Sequence, residues 1–368
     1  MRTDTGGMPL TLAALSTAHA FVDAACAALV LSLVHIYPLA NGTFIKLIVS
    51  YNLLAFALQP LFGSMVDRFP ALRESVTAGI AFVIAGCAVV MHSAFAAVVL
   101  AGIGNALFHV GGGVAVLRMR QGRAWPSGIF VAPGAVGLAA GALLGRHGIL
   151  PVIPVVAILA VLLAVLFVCS FPSTRHGERI DRRYPVSSFT AVLVLLSLSV
   201  ALRSLLGFSA GGLWRGDSSV LFAFAVAAMA GKAAGGIVAD RFGWTLTGTA
   251  ALVVMTFVFG GVRQWAWCAV FGMFLLQMTM PVTLAAMYRL FPRQPGLAFG
   301  ICCLALIAGA IPVFSPLSTM MKTVLFIVPC ALVSAATFFA GLQLLSAHRP
   351  VLRNTVKGRN VSLDCVAD

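Results

Sequence analysis

Apolar residues fill most of this chain in long runs, and polar residues are confined to the short stretches between them. A helix needs about 20 mostly apolar residues to cross a bilayer. Twelve runs reach that length, near residues 10–35, 44–66, 74–92, 95–117, 126–145, 149–171, 188–209, 217–239, 244–261, 264–290, 295–314 and 322–346. The pattern therefore predicts an all-α membrane protein with twelve transmembrane helices. Most connections are too short to hold a soluble domain. The longest polar stretch inside the chain, 172–187, falls between the sixth and seventh runs. The expected organisation is a six-helix bundle over 1–171, a cytoplasmic linker at 172–187 and a second six-helix bundle over 188–346. A polar, basic tail without apolar periodicity follows at 347–368.

A short repeat ties the two halves together. Gly63-Ser64-Met65-Val66-Asp67-Arg68 closes the second run, and Gly236-Ile237-Val238-Ala239-Asp240-Arg241 closes the eighth. Each copy is followed by Phe, as Phe69 and Phe242, and the copies lie 173 residues apart, close to half the chain. Matching devices at matching points of two halves indicate an internal repeat, and hence pseudo-symmetric bundles.

Charge fixes the expected orientation. With the amino terminus in the cytoplasm, seventeen basic residues fall in cytoplasmic segments and five on the opposite side, while Arg203 and Lys232 fall inside spans. That is a clear positive-inside bias. It places both termini and both Asp-Arg turns in the cytoplasm.

Composition narrows the function classes. Hydrophobic residues make up 61% and charged residues 9%, with a mean hydropathy of +1.04. So little charge cannot cover a soluble surface. The net charge of +14 is scattered singly through turns. It forms no aromatic-basic face, so nucleic acid is not an expected partner. The eight cysteines lie within apolar runs, except Cys365 in the tail, and form no CxxC or Cys/His metal spacing. No metal, cofactor or catalytic group is expected. No Gly-x-x-x-x-Gly-Lys-[Ser/Thr] occurs, so ATP drive is not expected either.

Two six-helix halves, a central loop, and Gly-x-x-x-Asp-Arg after spans two and eight resemble the major facilitator superfamily over essentially all of 10–346. A narrower resemblance is to its fosmidomycin-resistance-type branch. It is carried by His19-Ala20-Phe21-Val22-Asp23, by 57–68, by Gly102-Ile103-Gly104-Asn105-Ala106-Leu107-Phe108-His109, and by the Gly-rich fifth span after Ser127-Gly128. Where that branch continues Phe-His with Pro-Glu, this chain has Val110-Gly111, so a carboxylate is absent there. The resemblance implies that spans one and four line a central cavity. It also implies that the repeated Asp braces a cytoplasmic gate. Gly63, Asp67, Arg68, Arg118, Gly236, Asp240 and Arg241 form the expected gate motif, with Arg118 and the amides near Gly296 as partners for Asp67. By symmetry the start of span five lies near Asp240.

Charged side chains in mid-membrane are costly and are functional candidates by default. His19 and Asp23, four residues apart on one helix face, suit proton exchange. They equally suit a buried hydrogen-bonded pair that fixes packing. His109 and Asn105 in span four extend a polar strip, although a lone buried histidine is often satisfied by a carbonyl. Arg203 in span seven suits an anionic group, or snorkels to the outer interface. Lys232 in span eight suits snorkelling to the nearby turn, and Gln277 in span ten a flexible cavity wall.

The expected function is secondary active transport by alternating access of a small organic, anionic or drug-like solute. Proton-coupled export by a monomer in a bacterial inner membrane is the leading form. Uptake of an organic anion or nutrient, or movement of lipid, are the alternatives. An intramembrane enzyme fits less well, because paired intramembrane aspartates and His-Glu-x-x-His are both missing, and a non-transporting sensor, also less favoured, would show no substrate-dependent change in cysteine accessibility.

Overall fold

The computed structural model describes residues 7–69, 71–172, 185–214 and 216–347. Nearly all of 172–187 and 347–368 lies outside these residues, including the basic residues of the central linker, and so does Arg215. Among the described residues the chain is helical throughout, with no strand. Eleven helical segments are long and apolar enough to cross a membrane, and a twelfth, Val152–Val168, is 17 residues long.

Each apolar run has its helix. The first half contains α1 (Met8–Ile36), α2 (Asn41–Asn52), α3 (Gln59–Arg68), α4 (Leu72–Val89), α5 (Ala94–Met119), α6 (Trp125–Arg146) and α7 (Val152–Val168). The second contains α8 (Val186–Gly212), α9 (Ser218–Phe242), α10 (Trp244–Phe257), α11 (Ala266–Gln277), α12 (Met280–Leu290), α13 (Pro295–Ala310) and α14 (Val324–Ala347).

Two spans are interrupted, and proline accounts for both. A π turn at Leu53–Ala57 joins α2 to α3, where Pro60 removes an amide from the ladder. Span ten breaks between Gln277 and Met280, and Pro281 restarts it in the first turn of α12. After the second Asp-Arg turn, Gly243 sits at φ +98°, which a side chain would strain.

Contacts within each half rest on backbone-to-backbone approach. Gly137, Gly141 and Gly145 of α6 meet the carbonyls of Ala20, Ala24 and Ala28 of α1, with no room for a methyl group. The four-residue glycine stripe is therefore a packing seam between two helices of the same half. Gly309 of α13 presses in the same way on the Ala201 carbonyl of α8. Small residues serve this purpose where lipid supplies no hydrophobic drive between helices. Large apolar side chains turn outward instead: Leu325 is 87% exposed and Ile153 83%, as a lipid-facing surface requires.

The halves meet along two seams, α3 with α13 and α6 with α9. At the first, Gly63 and Gly296 face each other so closely that a Cβ on either would collide with the other's carbonyl. At the second, a Cβ on Gly128 would lie 2.6 Å from the Lys232 carbonyl, and one on Gly236 2.8 Å from Trp125 Cα.

Candidate functional site

α1 and α5 bring three polar side chains together near the middle of the first half. His19 Nε2 lies 3.2 Å from Asp23 Oδ2 on the next turn of α1. From α5, His109 Nε2 reaches 3.6 Å from Asp23 Oδ1 and 2.9 Å from His19 Nε2. Asn105, one turn before His109, donates through Nδ2 to Asp23 Oδ1 at 3.2 Å. Both histidines and Asn105 are buried.

Backbone carbonyls set the tautomers of both rings. His19 Nδ1 is 2.9 Å from the Phe130 carbonyl of α6, and His109 Nδ1 is 2.9 Å from the Asn105 carbonyl. A carbonyl only accepts, so each Nδ1 carries the hydrogen. In the neutral ring each Nε2 is then a bare lone pair. Two such lone pairs and a carboxylate face one another, and no donor hydrogen lies among these three groups. A proton held by any one of them would supply the donor that these contacts need. Phe130 and Phe108 flank His19, with ring centroids 4.7 Å and 6.1 Å away. On the α6 side the wall is Gly134. A Cβ there would collide with His19 Nε2 and lie 2.7 Å from Asp23 Oδ2.

Lys232 approaches this cluster from the second half. Its Nζ donates to the Val131 carbonyl at 3.4 Å, one residue from the carbonyl that holds His19. Its charge is within electrostatic reach of Asp23 and His109. It turns inward across the seam rather than snorkelling to the nearby turn.

Arg203 is also buried rather than directed at an interface. Nε donates to the Ser199 carbonyl at 3.1 Å, one terminal nitrogen to Thr279 Oγ1, and the other to Thr283 Oγ1 at 2.8 Å. The guanidinium lies 5.7 Å from the Phe338 ring centre. Among the described residues no carboxylate stands within ion-pair distance of it, since both short pairs involve Asp23. Gln277 lies at the break in span ten, where Nε2 has only a 3.9 Å contact with Met273 Sδ.

The two Asp-Arg turns do equivalent things. Asp67 accepts from the amides of Gly296 and Leu297 at the start of α13, both at 2.9 Å. Asp240 accepts from Ala124 and Trp125 at the start of α6, also at 2.9 Å, and from Trp244 Nε1. Each carboxylate thus caps a helix of the opposite half, where free amides and the macrodipole favour negative charge. Arg118 acts on Asp67 by charge only, without a short contact. Arg68 and Arg241 lie over the neighbouring rings of Phe69 and Phe242. Additional cross-links come from Arg123 Nη1 to the Asp240 carbonyl at 3.2 Å and from Arg289 to the Gly122 carbonyl at 2.9 Å. Arg289 also stacks 3.5 Å from the Trp244 ring centre.

Sequence reasoning alone missed several partners. Thr279 and Thr283 are spaced four apart on α12 and give Arg203 its two hydroxyls, a spacing visible in the sequence. The Phe130 carbonyl and the wall at Gly134 carry no side-chain signal.

Several solved structures share this architecture. The Escherichia coli fucose:proton symporter matches with a TM-score of 0.67 at 11% identity, over 92% of this chain and 98% of that one. The human organic anion transporter MFSD10 gives 0.68 at 15%, over 94% and 100%. A bacterial homologue of the iron transporter ferroportin, in an outward-facing state, gives 0.58 at 15%, over 92% and 98%. At such identities the likeness is one of fold: twelve transmembrane helices in two pseudo-symmetric six-helix bundles, the major facilitator fold. No family model matches the chain, and no curated protein matches it.

Proposed function

We propose that the protein is a secondary active transporter of the major facilitator superfamily. It moves a small organic, anionic or drug-like solute by alternating access, with proton-coupled export as the direction. The observation that carries this reading is the His19–Asp23–His109 cluster, three acceptors that need a shared proton. It sits in a fold whose halves are joined at one end by Asp67 and Asp240. Rocking of two bundles about such a seam is the accepted way this architecture exposes a midplane site to either side.

The roles follow from the geometry. Asp23, His19 and His109 hold the proton, and Asn105 orients the carboxylate. Lys232 reports the state of the cluster to the second bundle through its charge. Arg203, a buried guanidinium with two hydroxyl partners and no acid, supplies the positive field for an anionic solute. Gln277 lines the break in span ten. Gly63, Asp67, Arg68 and Arg118, with Gly236, Asp240 and Arg241, form the gate at the closed end. The positive-inside bias of the sequence supports a cytoplasmic position for that end. The bundles are taken as 1–171 and 188–346, in a monomer of a bacterial inner membrane. Uptake is the second reading, favoured by the likeness to a fucose:proton symporter.

The test is solute flux in inverted vesicles under an imposed pH gradient. Asp23→Asn should abolish gradient-driven flux while leaving counterflow exchange measurable. Unchanged gradient-driven flux in that variant would overturn the coupling role.

A further inference from the structure

We propose that His19, His109 and Asp23 also form a binding site for a divalent first-row transition-metal cation of the zinc, cobalt or iron(II) class. The metal would take the place of the shared proton. The inference rests on the geometry of the cluster and not on the transport reading.

Three observations carry it. The first is spacing. Metal–nitrogen and metal–oxygen bonds of about 2.0–2.2 Å at angles of about 90–110° set ligand atoms about 2.8–3.6 Å apart. Here the two Nε2 atoms are 2.9 Å apart, His19 is 3.2 Å from one Asp23 oxygen, Oδ2, and His109 is 3.6 Å from the other, Oδ1; with one ligand atom per residue all three lie within 4.8 Å of one another, so a small rotation of the carboxylate would bring a single oxygen to both. The second is tautomer. A ligating histidine donates its other ring N–H to a carbonyl or carboxylate, which fixes the ring and leaves the lone pair free. Both histidines do so, to Phe130 and Asn105. The carboxylate is likewise held, by Asn105 Nδ2. The third is surroundings. Asn105 Oδ1 is buried without any hydrogen-bond partner, an acceptor beside the cluster suited to a metal-bound water. Gly134 packs against both ligands with no room for a methyl group, so its backbone fixes where His19 and Asp23 stand.

Chemistry selects the metal class. Two imidazoles and one carboxylate with open positions suit Zn²⁺, Co²⁺ and Fe²⁺. Ca²⁺ and Mg²⁺ require all-oxygen shells, and Cu⁺ prefers thiolates, none of which is a ligand here. The Lys232 charge opposes a dication, so it sets an upper bound on affinity that is removable by mutation.

The experiment uses the full chain purified metal-free in nanodiscs. Zn²⁺ titration calorimetry should show one site per chain, and zinc-edge X-ray absorption of the wild type should show two imidazoles and an oxygen ligand without sulfur. His19→Ala with His109→Ala should weaken binding at least about 100-fold. Lys232→Met should tighten it severalfold, and removal of His35, His92 and His147 together should leave it unchanged. No stoichiometric zinc, sulfur in the first shell, or full binding in the double alanine variant would overturn the site. The wild-type spectrum decides even where a variant does not fold. Zinc binding with no solute flux would overturn the transport reading alone, and proton-driven flux without zinc binding would overturn this inference alone.

Discussion

At the scale of single residues, the cost of burying charge explains what the membrane interior contains. Asp23 is tolerated because two imidazoles and an amide surround it, and Arg203 because hydroxyls, a carbonyl and a ring face do. The two sites differ in charge. Three acceptor groups converge at Asp23, whereas a guanidinium stands at Arg203 with no carboxylate among the described residues at ion-pair distance. This difference motivates the proposal that the proton is held in the first half and the solute's negative charge in the second. Arg203→Lys keeps the charge but loses the fork that reaches two threonines. Half-saturation for an anionic solute should therefore rise about tenfold, the worth of one charge-assisted hydrogen bond. Concentration-dependent flux in proteoliposomes checks this, and an unchanged value would remove Arg203 from the solute site. Gly134→Ala should abolish proton coupling with helix content unchanged by circular dichroism, because its methyl group must displace the His19 ring.

Among the helices, stability rests on seams where backbones touch. The α1–α6 seam leaves no space at Gly137, so Gly137→Ala must push these helices away from each other along their length. Overpacking of this kind costs about 1–3 kcal/mol, and the thermal midpoint in detergent should fall, whereas Gly42→Ala, in open space, should leave it unchanged. The start of α9 should respond to pH through Asp217. Asp217 accepts from Ser219 Oγ at 2.6 Å and from the amides of Ser219 and Val220. The Ser219 hydroxyl first, with those amides, holds the carboxyl below the ordinary aspartate value of 3.8. A depressed carboxyl stabilises the fold above its unfolded pKa and loses that effect as pH falls through the folded one. Protection of the Ser219 and Val220 amides, relative to their intrinsic exchange rates, should accordingly fall below pH 3.8, and Asp217→Ala should show the lower protection already at neutral pH.

For the whole molecule, the two aspartate caps tie the halves at one end, one at each seam, beside the bonds from Arg123 and Arg289. Hydrogen bonds to a charged group contribute about 1.5–3 kcal/mol each, so Asp67→Asn with Asp240→Asn should shift the balance between open and closed ends by tenfold or more. Spin labels at the exposed Met65 and Ile237 should report longer distances in the double variant. Unchanged distances would show that the glycine seams and the Arg123 and Arg289 bonds hold the end closed without the two carboxylates.

The twelve spans were legible in the sequence because a bilayer demands a fixed apolar length, and length survives without any knowledge of contacts. The repeat was legible because Gly-x-x-x-Asp-Arg is local. His19 and Asp23 were paired by helical periodicity alone, as were His109 and Asn105. The α1–α5 junction was not legible. Ninety residues separate His109 from His19, and nothing local states which faces meet. The sequence also left Lys232 facing a turn and Arg203 open between a site for an anionic group and the outer interface, because hydropathy records depth but not rotation about the helix axis. By itself, then, the sequence determined the lipid-spanning helices, their number and the twofold plan, all set by one-dimensional periodicity and length. Only the tertiary structure decided that three lone-pair groups converge without a donor, since that depends on backbone carbonyls and on glycines that let helices approach.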